Sequence, residues 1–272
     1  MDALSPLIQA LRDEGRPRVW SLVITVFGDS VEPRGGRIAT ARLRALMARI
    51  GVEEGALRTA LSRLSADGWV CSERTGRSSS YTLTARGRAE AAAATARIYR
   101  APAESPQTWS LGLGGTPPPG ALAVQGDVWL VPGEARGTGA EMQLTGTLDS
   151  APQLVPRLVT PEHATALEAL RADLSSLETL ADPDPLTAAA ARTLLIHRWR
   201  RLVLRYPELP DALLPAGHPA RALRADVARI YRSLGPAADR WLGSDGEGFD
   251  ALPAGDGSLA RRFATTSGPQ NP

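Results

Sequence analysis

The segment from Val52 to Thr84, VEEGALRTALSRLSADGWVCSERTGRSSSYTLT, has the pattern of one helix followed by a two-stranded basic hairpin. On a helical wheel with about 3.6 residues per turn, Leu57, Leu61 and Leu64 share one face. Gly68 ends the helix, and the pieces WVCSERT and SSYTLT alternate as two short strands do. A helix followed by such a hairpin is typical of a winged helix-turn-helix.

The opposite face of this helix carries side chains that can donate hydrogen bonds to phosphate oxygens or base edges. Further arginines lie in the preceding turn EPRGGR and at the tip of the hairpin. The candidate DNA-binding residues are Arg34, Arg37, Arg58, Thr59, Ser62, Arg63, Arg74 and Arg77. The alternative is an ordinary amphipathic surface helix and hairpin whose arginines remain in water.

A winged helix needs two earlier helices, and the sequence from 18 to 50 can supply them. Thr40 is a candidate N-cap for a helix over 41–50, whose apolar positions recur at helical spacing. Gly51 then makes the turn into the next helix. The run VWSLVITVFGDSV is apolar and β-branched, so its propensity fits a strand as well as a helix. We assign it as the first helix from the arrangement that follows.

The runs SLVITVFGDSVEPRGG and LRTALSRLSADGWV resemble the PaaX-type transcriptional repressors of phenylacetic acid catabolism. The later runs LLIHRWRRLVLRYPELPDALLP and ALRADVARIYRSLGPAADRWL resemble the C-terminal domain of the same family. The resemblance implies a DNA-binding repressor that an aryl-acetyl coenzyme A thioester releases from DNA. It also implies a ferredoxin-like middle domain.

The fold class that we expect is α+β and mostly α. A flexible leader covers 1–17, a winged helix-turn-helix 18–87 and a linker helix 88–101. A small, truncated ferredoxin-like middle domain covers 102–160, a helical dimerisation and effector domain 161–242, and a disordered tail 243–272. The middle domain departs from the family pattern because only the ten residues 114–123, rich in Pro and Gly, separate Leu113 from Val124. No helix fits between the first two strands.

Composition agrees with a folded regulator that works in the cytoplasm. Residues 1–100 hold 16 arginines against 10 acidic residues, a net charge of +6, whereas the remainder holds 15 against 19. The single cysteine, Cys71, excludes an internal disulfide framework. The sequence has neither the pattern of a signal peptide nor an apolar run long enough to span a membrane, so we expect no membrane partner.

The second helix of the C-terminal domain carries a stripe of arginines beside its apolar face. A coenzyme A thioester carries phosphates that need cationic donors, and an aromatic side chain suits its acyl group. The candidate effector-binding residues are therefore His197, Arg198, Trp199, Arg201 and Arg205. The alternative is that these arginines form salt bridges with neighbouring helices or stay in water.

No catalytic residue, metal site or cofactor is predicted. The histidines His163, His197 and His218 lack metal-ligand spacing, a lone Asp127 cannot build an oxygen-rich site, and no nucleotide-binding or hydrolase motif is present. We expect a homodimeric, ligand-responsive repressor that binds a palindromic double-stranded DNA operator. The alternatives are a DNA-binding regulator without a small-molecule effector and, further off, a metal-dependent nuclease-like enzyme.

Overall fold

The computed structural model describes residues 2–13, 15, 18–76, 78–102, 106, 108–148 and 152–264. The chain divides into two compact units. The first unit combines residues 1–102, 172–201 and 224–272, and the second combines 103–171 and 202–223.

The first unit begins with a helix where we expected a flexible leader. Helix α1 spans Ser5–Asp13, and Leu4, Leu7 and Leu11 are buried. Leu7 and Leu11 are four residues apart, so they lie on one face of the helix and give it an apolar side to pack. Of the expected leader, residues 1, 14, 16 and 17 lie outside the described residues.

The elements of the predicted DNA-binding region follow in the expected order. They are α2 (Val19–Val26), a π-helical turn (Phe27–Val31), a 3-10 turn (Glu32–Arg34), β1 (Arg37–Ala39), α3 (Thr40–Arg49), α4 (Glu54–Ala66), β2 (Val70–Thr75), β3 (Ser78–Leu83) and α5 (Ala85–Ile98). The apolar run before the turn is therefore helical, as we assigned it. Six of its eight residues from Val19 to Val26 are buried, because this helix lies in the centre of the unit.

Two glycines end α3 and α4 in the same way. Gly51 has φ of +84° and Gly68 has φ of +70°, a left-handed conformation that glycine adopts without steric cost. After α3, the amides of Gly51 and Val52 donate to the carbonyls of Ala48 and Met47. The same pair of bonds follows α4, so both helices end in a Schellman motif. These turns fix the direction in which the chain enters and leaves α4.

The hairpin of β2 and β3 belongs to a three-stranded sheet with the order β1-β3-β2. Both pairings are antiparallel, and the hairpin register runs from Val70 opposite Leu83 to Thr75 opposite Ser78. The hydroxyl of Ser79 donates to the hydroxyl of Thr40 at 2.8 Å. Thr40, which we expected as an N-cap, is the first residue of α3 and contacts the hairpin instead.

The second unit contains a four-stranded antiparallel sheet with the order β5-β6-β4-β7. Its strands are β4 (Trp109–Leu113), β5 (Leu122–Gln125), β6 (Val128–Pro132) and β7 (Met142–Gly146). The connection 114–121 holds no helix, as its proline and glycine content predicted. Trp109, Leu122 and Leu130 form the core of this unit together with Val155 and Leu213.

The remaining helices are α6 (Val155–Leu158), α7 (Pro161–Glu178), α8 (Pro185–Arg205), α9 (Leu223–Leu242) and α10 (Gly257–Ala260). The three long helices agree with the helical pattern of the sequence. However, most of α8 and nearly all of α9 belong to the same compact unit as the predicted DNA-binding region, where we expected a separate C-terminal domain. Among the described residues, no helix is long and apolar enough to cross a membrane.

The described part of the expected disordered tail, residues 243–264, is ordered and packs within the first unit. Leu252 and Phe263 are buried, and the Phe263 ring lies 5.5 Å from those of Tyr99 and Tyr231. The side chain of Arg42 on α3 is fully buried beneath the ring of Phe249. Contacts of a few side chains hold this segment in place. These side chains do not recur at helical spacing, so the sequence pattern did not predict an ordered segment. Residues 265–272 lie outside the described residues.

Candidate nucleic-acid interface

Helix α4 has an apolar inner face and a polar outer face. Leu57, Ala60, Leu61 and Leu64 are at most 8% exposed and pack into the first unit. The outer side chains are all exposed, and they are Arg58, Thr59, Ser62 and Arg63. The Thr59 hydroxyl donates to the carbonyl of Gly55 and still has lone pairs available. This surface can donate hydrogen bonds to phosphates and to base edges.

A glutamate at the start of α4 holds two arginines. The Glu54 carboxylate lies 4.0 Å from the guanidinium of Arg58, one turn further along the same helix. It also lies 3.7 Å from the guanidinium of Arg44 on α3. Arg44 is a candidate that the sequence analysis missed, because we used α3 only for its apolar positions. Its outward position between Leu43 and Leu46 was the available signal.

The three-stranded sheet adds further arginines to the region. Arg74 is exposed, and its Nε donates to the carbonyl of Gly76 at 3.3 Å. Arg37 on β1 forms an ion pair with Glu73 on β2, and both side chains are about half exposed, at 51% and 50%. Arg77 lies outside the described residues, so its place at the hairpin tip stays a prediction.

Arg34 is the one described candidate whose position does not suit DNA contact. Only 4% of its side chain is exposed, and its guanidinium lies 2.6 Å from a carboxylate oxygen of Asp239 on α9. It also donates to the carbonyl of Ser30. The turn EPRGGR is therefore not simply a solvated basic loop, because its first arginine points into the unit as an internal ion-pair partner.

The residues proposed for effector binding do not form one surface stripe. Trp199 is 1% exposed, and its indole N–H donates to the carbonyl of Ile98. His197 is 3% exposed, and its Nδ1 lies 3.1 Å from the hydroxyl of Thr25. Burial, with the charges of Arg200 and Arg201 adding to it, lowers the pKa of His197 to about 3. This histidine is therefore a neutral interior group.

Of the three arginines of the stripe, one is buried and two are exposed. Arg198 is 7% exposed and forms a buried ion pair with Asp173 on α7. Arg201 and Arg205 are exposed, and Arg205 stacks over the ring of Tyr206. Three of the five candidates thus lie in the interior. The sequence pattern placed Trp199 on the apolar face and Arg198 beside it, with His197 further round. It could not show that neighbouring helices also cover Arg198 and His197.

The described residues contain no group of three or more histidine, cysteine or carboxylate side chains that could hold a metal ion. Asp127 is exposed in the turn between β5 and β6.

A helix, a tight turn, a second helix with an outward donor face and an adjacent basic hairpin are typical of a DNA-binding regulator. Comparison with known proteins agrees with this class. The model for PaaX-like proteins matches residues 18–87, and the model for the C-terminal domain of PaaX-like proteins matches residues 159–244. The transcriptional repressor PaaX of Escherichia coli is 32% identical, with 89% of each chain covered.

This chain belongs to the PaaX-like family. It is a transcriptional regulator and not an enzyme. Among solved structures, an uncharacterized protein from Mycobacterium tuberculosis matches with a TM-score of 0.47 and 19% identity, covering 81% of this chain and 97% of that one.

Proposed function

We propose that the chain is a repressor that reads DNA through a winged helix-turn-helix formed by α3, α4 and the β2–β3 hairpin. The observation that carries this proposal is the outer face of α4, where Arg58, Thr59, Ser62 and Arg63 are exposed while the leucines of the same helix are buried. Helices with such faces enter the major groove, and an adjacent hairpin contacts the phosphate backbone.

The operator is a palindrome, and the protein binds it as a homodimer. A single reading helix contacts only a few base pairs, and two subunits related by a two-fold axis double that number. The 32% identity to a transcriptional repressor, over 89% of each chain, supports the role of a DNA-binding repressor. In this proposal, the middle and C-terminal elements form the dimer interface. The dimer binds double-stranded DNA.

The effector is an aryl coenzyme A thioester or a related acidic molecule. Among the candidate residues of the sequence analysis, the exposed Arg201 and Arg205 are suitable donors for its phosphates. The buried Arg198, Trp199 and His197 instead hold helix α8 in place through their interior contacts. Effector binding lowers operator affinity by favouring a state of the dimer that fits DNA less well.

Footprinting of the promoter regions beside the gene, followed by gel-shift titration, tests the DNA proposal. Arg58→Ala should weaken operator binding by about 1 to 3 kcal/mol if the guanidinium contacts a base. Arg229→Ala is the matched control, because Arg229 is an exposed arginine on α9 that is also paired with a carboxylate. Absence of any protected promoter sequence, or equal effects of both substitutions, would contradict the proposal.

Calorimetry with phenylacetyl coenzyme A, and with free coenzyme A for comparison, tests the effector. Arg201→Ala and Arg205→Ala should each weaken binding, because a lost charge-assisted bond contributes about 1.5 to 3 kcal/mol. Normal affinity in both variants would remove these arginines from the effector site. No heat with the wild-type protein would favour the alternative of a regulator without an effector.

A further inference from the structure

The Glu54 triad, consisting of Arg44, Glu54 and Arg58, is a mixed-charge group in the middle of the proposed reading surface. One carboxylate contacts an arginine from each of the two helices that flank the turn, at 3.7 Å and 4.0 Å. All three side chains are more than half exposed, at 56%, 62% and 79%. A negative charge therefore stands where DNA phosphates and base edges are expected to approach.

The Glu54 carboxylate has opposite effects on binding to non-operator DNA and on binding to the operator. Binding to non-operator DNA depends almost entirely on attraction between cations and phosphates, so a carboxylate beside Arg44 and Arg58 opposes it. At an operator, by contrast, Arg58 must present a defined geometry to a base edge. A glutamate four residues before an arginine on a helix favours one orientation of that arginine, which reduces the entropy lost on binding.

We propose that Glu54 is a specificity-determining positioning residue, which lowers affinity for non-operator DNA and orients Arg58 for the operator. This inference rests on the proposed DNA-binding function. Glu54 raises the ratio of operator affinity to non-operator affinity, the quantity that matters for a regulator among many competing sites.

The hairpin provides an internal contrast. Glu73 pairs with Arg37 on the sheet, so it also places a carboxylate next to an arginine near the proposed DNA surface. Backbone contacts from a wing carry no base information, so Glu73 opposes operator and non-operator DNA equally. Glu54→Gln and Glu73→Gln therefore change the net charge by the same amount and differ only in the effect on specificity.

The experiment measures the affinity of the full-length protein for its footprinted operator and for a scrambled duplex of equal length, over a range of salt concentrations. Glu54→Gln should strengthen scrambled-duplex binding about two- to fivefold, as expected from an exposed ion pair. It should also weaken operator binding about two- to fivefold, so that the specificity ratio falls roughly tenfold. Glu73→Gln should strengthen both complexes by the same factor and leave the ratio unchanged.

Glu54→Asp separates the two effects, because it keeps the negative charge but shortens the reach to Arg58. Its affinity for the scrambled duplex should equal that of the wild type, whereas its operator affinity should fall. Urea unfolding of each variant should match the wild type, because all of these side chains are at least half exposed.

An unchanged specificity ratio in Glu54→Gln, or equal behaviour of the Glu54 and Glu73 variants, would overturn this inference. A loss of preference confined to one base pair that persists when Arg58 is alanine would also overturn it, because Glu54 would then contact a base directly. If the wild-type protein itself shows no preference for the operator, the proposed function fails instead.

Discussion

The guanidinium of Arg262 lies 2.9 Å from the carboxylate of Asp29, and neither side chain is more than 4% exposed. Arg262 lies in the C-terminal segment, which comprises residues 243–264. Asp29 lies in the π-helical turn after α2. The same guanidinium donates to the carbonyls of Gly28 and Asp29. The segment that contains Arg262 is therefore bonded to the turn after α2 in the predicted DNA-binding region.

The carboxylate of Asp29 bonds to side chains from four parts of the first unit. Its carboxylate accepts hydrogen bonds from the hydroxyls of Tyr99 and Tyr231 and pairs with Arg192 on α8 as well as with Arg262. Burial alone would raise the pKa of this carboxyl, but the two arginines and two phenols outweigh burial and lower it. Asp29 is thus ionised, and its carboxylate bonds to the residue after α5, to α8, to α9 and to the C-terminal segment.

Asp29→Asn should destabilise the protein by about 3 to 5 kcal/mol, because it leaves the buried cations Arg192 and Arg262 without their shared counter-charge. Urea unfolding gives the free energy. The control is Glu178→Gln, which removes an exposed partner of Arg229 and should cost about 1 kcal/mol or less. Similar losses in both variants would show that the Asp29 cluster contributes no more than a surface pair.

Phe263→Ala should destabilise the protein by about 3 to 5 kcal/mol, since the ring is 1% exposed and packs against Tyr99 and Tyr231. Met142→Ala, at a side chain that is 48% exposed, is the control and should have little effect. Thermal unfolding measures both. A midpoint for Phe263→Ala equal to that of the wild type would mean that the C-terminal segment does not stabilise the fold in solution.

His197 should make stability fall with decreasing pH. Its pKa is about 3 in the folded protein but about 6.5 when unfolded, so the unfolded chain takes up the proton first. Its contribution is complete above pH 6.5 and is lost progressively as the pH falls to about 3, by up to about 5 kcal/mol. Urea unfolding at several pH values should show a flatter profile in His197→Asn than in the wild type. Parallel profiles would mean that this histidine does not titrate on unfolding.

Arg74→Ala should weaken binding to operator and scrambled DNA alike and reduce the slope of log affinity against log salt by about one unit. The reason is that an exposed arginine near the hairpin tip neutralises one phosphate without reading a base. Arg77 is predicted from the sequence to lie at the hairpin tip, and Arg77→Ala is expected to act in the same way. A change restricted to one base position would contradict a phosphate contact for either residue.

The exposed face of α4, which is the proposed reading surface, could be predicted from the sequence because it depends on local periodicity. The spacing of Leu57, Leu61 and Leu64 sets which side of α4 is buried, and it thereby sets Arg58 and Ser62 on the other side. Gly51 and Gly68 mark the ends of the two helices for an equally local reason, namely the left-handed conformation that each one adopts. The ion pair of Glu54 with Arg58 follows from a separation of four residues on a helix.

The partners of the buried arginines could not be predicted, because each lies far away in the sequence. In the sequence, Arg34 looks like a surface cation of a turn and Arg198 like one of a helix. Both are buried in the structure, where they pair with Asp239 and Asp173. Arg262 looked like part of an unstructured tail. Local patterns determine which residues face inward on one helix, whereas long-range packing determines which charges are enclosed and by what. The contact between the C-terminal segment and Asp29 was therefore decided only by the tertiary structure, because no local signal encodes a contact across 233 positions.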